Sequence, residues 1–585
     1  MQVNKNRPPS TPGGRAGSLL STHWFTSLFC VVAFFGLYLF VFRPGYQVDD
    51  DITMIQIASG YLGGQPTPFL VFSNVALGFL LNFLYQLPTH LNWEILIFFG
   101  VHFLSAWCLI YIIFFLPLKT AYKLLGMLIV LLSDSLLLLN ITFTTTASFA
   151  VICGLVAVLA VTYDGSHFPR RLLIFGGLLI LTGSLIRIES FLLVLLLTFP
   201  SFIFIQHWFR LKDWAVGLGV VFLAVVSFYA FNAVYVKSSP QWASFYAYND
   251  VRSLLQDTPR VHLLTVKDAY SDVGWNFNDY KLFMSWFFPD EQLYSLPNLQ
   301  YLVLHNPGTE RNVLSAALSY FYPKPFFDDM DSTPYFLMMA AGFIALAIHP
   351  SLRKAVWPLT VLLLTFLILI FYLIWTEKVP LRVWDSFLST TSVFGLFVLL
   401  WAGSKADPSR SEIEERSRLV FIVPTLVCVA GLFALYYAIT TTELNVQRQS
   451  AYQKILSDLR TLQVQGKIHH NALIVSPALG IPLAWSNPMV LDLPGAQYME
   501  MGWLTFSPSY YGALHEFNVQ SLPAGLYQSD DIYIMIKANL MDSVVEYIFD
   551  HTGLVTVPQL IYSSPNHDFD SAYNNVKLYK LNLQK

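Results

Sequence analysis

The chain has 585 residues, of which 55% are apolar and only 12% charged, with a formal charge of −3 and a mean hydropathy of +0.52. Apolar runs this long exclude a single water-facing domain. The basic residues are scattered along the chain and gather on no face, which excludes a nucleic-acid partner.

The amino-terminal stretch places Lys5, Arg7 and Arg15 before an apolar run from Trp24 to Phe42. That run is too long for a signal peptide and has no small-residue cleavage site, so it reads as a retained anchor. The four cysteines, Cys30, Cys108, Cys153 and Cys428, all fall in apolar segments. They act there as small core residues and imply neither disulfides nor a zinc site.

A bilayer core needs roughly 20 apolar residues per helix. Eleven spans fit: 24–43, 95–117, 121–139, 141–162, 172–187, 188–206, 214–236, 333–349, 355–375, 383–402 and 419–440. The segment Phe69 to Leu87 is also apolar but carries Asn74 and Asn82. Reading it as an exterior helix on the bilayer surface, and not as a span, satisfies the positive-inside rule. Fifteen Lys/Arg from Lys5 to Arg418 then fall on the inner side, and the short outer connections carry four: Arg43, Arg187, Lys378 and Arg382.

The expected organisation is a cytoplasmic tail (1–23), a transmembrane all-α bundle (24–440) with exterior loops 44–94 and 237–332, and a small exterior α/β domain (441–585). Gly403 to Arg418 reads as an inner linker. The tail shows β-like runs at Leu473 to Ser476, Met489 to Leu493, Ile532 to Ile536 and Val576 to Leu581, separated by Pro/Gly turns. The protein is expected to be a multi-pass plasma-membrane protein, amino terminus inside and tail outside.

With that topology, Asp134, Arg187, Glu189, Glu377, Lys378 and Arg382 fall at outer helix ends with Asn140 and Thr144 to Thr146, and His102 lies in the outer half of its helix. Charge near the bilayer centre costs about 2.5–3.5 kcal/mol even on the lenient scale, so such residues need a cavity or a partner. They lie beside three consecutive carboxylates, Asp49, Asp50 and Asp51, just past the first span. A carboxylate in a cleft can accept a proton from a hydroxyl nucleophile, or supply oxygen ligands to a divalent cation such as Mg or Mn; a solvated acidic turn is the plainer alternative. Arg187, in Gly183-Ser184-Leu185-Ile186-Arg187-Ile188-Glu189, and Arg382, in Glu377-Lys378-Val379-Pro380-Leu381-Arg382, are candidate phosphate clamps, because guanidinium grips phosphate oxygens with a rigid fork. A turn pair with Glu189 and an interfacial anchor are the structural alternatives.

A first span, an acidic motif Asp49-Asp50-Asp51, surface segments Ile52 to Leu62 and Phe69 to Leu87, and an outer polar cluster together resemble the GT-C superfamily of membrane glycosyltransferases. The phrase from Val48 to Gly60 is similar to a largely uncharacterised bacterial group. In that group the exterior loop carries a pattern like Val273-Gly274-Trp275-Asn276-Phe277-Asn278-Asp279-Tyr280, with Trp286 and Asp290 beyond. The tail phrase Val490 to Gly495 is similar to one in exterior domains of arabinosyl- and mannosyltransferase-like members. The resemblance implies that Asp49 or Asp50 is the catalytic base and that Arg187 and Arg382 hold a polyprenyl phosphate. Asp51, His102, Asp134, Glu189, Asp279, Tyr280 and Trp286 are expected to support the site or bind substrate; Asp51 is also a candidate helix cap.

The expected activity is transfer of a sugar from a polyprenyl-phosphate donor, with the diphosphate as second choice, to a glycan, lipid or protein acceptor on the outer face. A transporter or flippase for a lipid-linked glycan is the rival. The missing internal repeat, the empty midplane and the two bulky exterior pieces weigh against it.

Overall fold

The computed structural model describes residues 13–87, 90–163, 168–258, 266–306, 332–376, 379–404, 421–477, 480–491 and 497–584. Lys5, Arg7, Glu377, Lys378, the linker from Lys405 to Arg418 and the phrase Asp492 to Gly495 lie outside them.

Helix α1 (Gly13–Val41) leads through a two-residue strand β1 (Gly45–Tyr46) into short helices α2 (Asp50–Ser59) and α3 (Val75–Tyr85). An up-and-down run follows: α4 (Trp93–Phe115), α5 (Thr120–Leu139), strand β2 (Asn140–Ile141), α6 (Phe143–Thr162), α7 (Arg171–Ile186), α8 (Ile188–Ile205) and α9 (Leu211–Ser238). The long loop holds α10 (Pro240–Gln256), α11 (Lys267–Asp272), α12 (Phe277–Met284) and α13 (Leu296–His305), and the bundle resumes with α14 (Ser332–Ile348), α15 (Val356–Trp375), α16 (Leu381–Ser404) and α17 (Ile422–Val464). Among the described residues nine helices are long and apolar enough to cross a membrane. The two other expected spans, α7 and α14, have 16 and 17 residues. Helix α3, inside the segment read as lying on the surface, has 11 residues; at 1.5 Å per residue it is too short to cross.

The bundle centres on α6, all 20 of whose residues are buried, the mark of a helix enclosed on every side. Glycine lets α7 pack close to it: a Cβ added at Gly183 would lie 2.6 Å from the Ala147 carbonyl oxygen. Chain reversals sort the helix ends into two groups. One end holds β1 paired in parallel with β2, together with the α7–α8 turn and the start of α16. The far end collects Lys119, Lys123, Arg170, Arg171, Arg210, Lys212, Arg353 and Lys354, so the charge asymmetry read from the sequence is an asymmetry of the fold. Asn445 of α17 fastens the first end, donating to the carbonyls of Arg43 at 3.0 Å and Leu139 at 3.3 Å.

Helix α17 has 43 residues, about 65 Å at 1.5 Å per residue, twice a hydrocarbon core. It runs straight through position 440, where composition changes, and carries the tail. There β3 (Leu473–Ser476), β4 (Gln497–Glu500), α18 (Pro508–Glu516), α19 (Leu522–Gln528), β5 (Ile532–Lys537), α20 (Ala538–Thr552), β6 (Thr556–Ser563) and β7 (Val576–Leu583) build a five-stranded sheet of order β4-β3-β5-β7-β6. Strand β3 is buried throughout and parallel to both neighbours, which is why it reads as an unbroken apolar run. The expected strand at Met489 to Leu493 does not form in its described part: Val490 makes one isolated bridge, to Leu91 of the first loop. Strands β4 and β6 were not anticipated.

Candidate active site at one end of the bundle

The three aspartates stand at the start of α2, with Asp49 as its N-cap. Successive residues on a helix point about 100° apart, and the three carboxylates accordingly reach three different elements. Asp49 turns to the tail: its Oδ1 accepts the Ala484 N–H at 2.5 Å and its Oδ2 the Tyr573 hydroxyl at 3.3 Å. Asp50 turns to the bundle, its Oδ2 accepting from Arg382 Nη1 at 2.8 Å and its Oδ1 from Trp503 Nε1 at 3.1 Å. Asp51, fully buried, accepts the Phe143 N–H at 2.9 Å and so caps the first turn of α6.

Both arginines converge on the ring of Phe143. The Arg187 guanidinium carbon lies 4.6 Å from the ring centroid and that of Arg382 5.6 Å, within the range of a cation–π contact. Arg187 is the single extended residue between α7 and α8, so the turn points its side chain back across α6, where Nη1 donates to Thr144 Oγ1 at 2.8 Å. Glu189 is 67% exposed and 3.6 Å from Arg187 Nε, a surface pair. Arg382 Nε is buried with no hydrogen-bond acceptor among the described residues, leaving a donor for a ligand. Phe72 stacks on Phe143 at 5.8 Å and Trp503 meets Phe72 edge-on at 4.8 Å. Together these groups form an aromatic wall behind the two guanidinium groups.

Burial pushes the Asp49 carboxyl up to about 6 and Asp51 to about 7, against the pull of the N–H groups of Ala484 and Phe143. Glu500, the last residue of β4, is also pushed up, by burial and then by the charges of Asp49 and Asp50.

The remaining expected residues lie elsewhere. His102 and Asp134 are completely buried inside the bundle, Nδ1 to Oδ1 2.7 Å, with His102 Nε2 3.1 Å from Thr146 Oγ1. They join α4, α5 and α6, with Thr146 one turn along α6 from Thr142. Asp279 closes a capping box with Asn276 at the start of α12 and meets His551 Nε2 at 2.9 Å, which ties the long loop to the tail. Tyr280 packs edge-on against Tyr270 at 5.4 Å in the same loop. Trp286 does approach the site, with φ +62° under the Arg252 guanidinium at 4.9 Å. Val71 and Phe506 share its left-handed backbone, with φ +68° and +67°. Such strain in non-glycine residues tends to cluster at functional sites.

Several participants have no short-range signal in the sequence: Phe143, Arg252, Glu500, Trp503 and Tyr573. Glu94 is another, fully buried at the start of α4 with neither carboxylate oxygen hydrogen-bonded among the described residues. Among the described residues, no three His, Cys, Asp or Glu side chains converge as a metal cage would require.

No protein-family model matches the chain, and no curated protein matches it. Among solved structures it is similar to the chain titled "Crystal Structure of ArnT from Cupriavidus metallidurans in the apo state", with 11% identity over 97% of this chain and 98% of that one and a TM-score of 0.39.

Proposed function

We propose that the chain is a GT-C-type membrane glycosyltransferase that moves a sugar from a polyprenyl-phosphate donor to an acceptor hydroxyl at the aspartate end of the bundle, the outer face of the membrane. The observation that carries the reading is Arg187 and Arg382 flanking one aromatic ring, with Asp50 hydrogen-bonded to the second of them.

Asp50 is the base in this reading, because it is the aspartate that faces the arginines, whereas Asp49 fastens the tail and Asp51 caps α6. The acceptor O–H gives its proton to Asp50 as its oxygen attacks the sugar carbon from the face opposite the phosphate. The carbon–oxygen bond to phosphate breaks, the phosphate leaves with the electron pair, and the configuration inverts. Arg187 and the free Nε edge of Arg382 meet the developing phosphate charge. General-base help of this kind contributes roughly 10²–10⁴ in rate. Each of the four oxygens of Asp49 and Asp50 accepts from one donor, Ala484, Tyr573, Trp503 or Arg382, and keeps a second lone pair, which on Asp50 is the one that takes the acceptor proton.

The test is sugar transfer in membranes supplied with a panel of polyprenyl-phosphate pentoses and hexoses. Wild type should transfer one of them, and Asp50→Asn should lose at least a hundredfold. Unchanged transfer by Asp50→Asn would remove the mechanism. Movement of intact lipid-linked glycan across vesicles without bond cleavage would establish the transporter instead.

A further inference from the structure

A cavity of about 780 Å³ lies between α5, α14, α15, α16 and α17. Its walls are largely apolar and include Leu125, Ile129, Met338, Leu362, Gly395 and Val427. It occupies the far half of the bundle, away from the aspartates. Polar lining groups sit at its two ends: Lys119, Tyr122 and His349 at the far end, Thr391 and Ser392 deep inside. The cavity is open along part of its wall and lined mostly by apolar groups, which suits an apolar occupant.

Depth decides which occupant. From Lys119 to Ile129 is ten residues of helix, about 15 Å, and that is half of a roughly 30 Å hydrocarbon core. The cavity therefore has the reach of a chain from one leaflet, with its polar mouth at that leaflet's surface. Charge decides the head group. The far end carries Lys119, Lys123, Arg170, Arg171, Arg353 and Lys354. Among its described residues the only acid is Asp213, 3.4 Å from Arg210. Basic residues at this depth attract anionic lipid, and Tyr122 packs edge-on to His349 at 6.5 Å, an aromatic pair of the kind found at membrane interfaces.

We propose that the cavity holds one acyl chain of an anionic glycerophospholipid from the far leaflet, its phosphate against Lys119 and His349. The proposal does not depend on the aspartate chemistry, and its readout is binding.

The full chain in nanodiscs is photolabelled with phosphatidylglycerol or phosphatidylcholine carrying a diazirine on one acyl chain, and the labelled peptides are mapped. The expected result is label on α5 and α14 at least fivefold higher from phosphatidylglycerol, with Lys119→Gln plus His349→Gln erasing the preference. Ala345→Phe, which puts a ring into the cavity from its lining, should lower that label while label on the exposed α9 residues Val216 and Val220 persists, showing that the bundle is intact. Equal labelling by the two lipids, label indifferent to all three substitutions, or displacement by polyprenyl phosphate but not by phosphatidylglycerol would overturn the proposal.

Discussion

Replacing Asp51 by Asn separates the architecture of the aspartate trio from its chemistry. The wild-type carboxyl is fully buried and titrates at about 7, against 3.8 when unburied. An acid whose folded value is raised holds its proton longer in the folded state, so stability falls as pH rises from about 4 through 7 and then levels off. At 1.36 kcal/mol per unit, burying Asp51 costs the fold roughly 2 kcal/mol at pH 5, where it must hold a proton that the unfolded chain gives up, and roughly 4 kcal/mol at pH 8, where it ionises in place. Asparagine is nearly isosteric and its carbonyl still accepts the Phe143 N–H, so the α6 cap survives. The Thr142 hydroxyl, which hydrogen-bonds the wild-type carboxyl, can bond the asparagine side chain in its place. Asp51→Asn should therefore raise the thermal unfolding midpoint in detergent, by more at pH 8 than at pH 5, with transfer activity kept within a few fold. A midpoint lowered equally at both pH values would refute the burial argument, and a hundredfold loss of activity would move Asp51 into the chemistry.

Other outcomes follow from the same geometry. Arg382→Lys should cost at least tenfold in transfer despite keeping the charge, because an ammonium cannot hold Asp50 and a phosphate on two edges of one planar fork; transfer kinetics check it. His551 is held protonated above its usual range by its hydrogen bond to Asp279. The clamp between α12 and α20 is then complete at pH 6 and weakens as pH climbs through that raised value, so amide exchange of Phe277–Met284 should speed up at alkaline pH in wild type and show no such step in His551→Gln. His102→Leu should destabilise the bundle by about 3–5 kcal/mol by leaving Asp134 buried and unpaired, and adding Asp134→Leu should restore much of it; yields of folded protein from membranes read both.

Hydropathy and the distribution of Lys and Arg were enough to lay out the bundle, because the bilayer allows few solutions and each span must present its ends alternately. That is why Arg187 and Arg382 could be placed at the aspartate end from the sequence. The tail was legible where strands are fully buried, as in Leu473 to Ser476 and Ile532 to Ile536. Gln497–Glu500 has polar ends, and Thr556–Ser563 contains Pro558 in an edge strand, where proline is tolerated but hides the pattern. The wall of the site was not legible at all. Trp503 reaches Asp50 across 453 positions of chain, and no local periodicity encodes a contact of that separation. His102 and Asp134 looked like site residues because ionisable groups in spans usually are. The structure pairs them with each other and with Thr146, and leaves Asp134 Oδ2 without a hydrogen bond among the described residues.

Three adjacent acids invite the idea of one shared ligand, and the helix geometry argues against it. At the start of α2 the side chains radiate, and each finds a different donor: the backbone of the tail, a guanidinium, and the first N–H of α6. The tail's docking and the site's charge balance are thereby set by neighbours in sequence. Tyr573 and Ala484 hold Asp49 on one side, and Trp503 holds Asp50 on the next, so displacing the tail would leave Asp50 with Arg382 alone. The three single Asn substitutions should then separate cleanly. Asp50→Asn loses transfer with little change in proteolytic stability, and Asp51→Asn gains stability with little change in transfer. Asp49→Asn keeps an acceptor for the Ala484 N–H and removes a carboxyl that burial raises to about 6, so tail docking should hold or tighten at pH 8, seen as equal or slower protease cleavage in α17 beyond Thr441 with a smaller loss of transfer. Identical profiles for all three would mean that the carboxylates act as one cluster, against the divergent directions seen at α2.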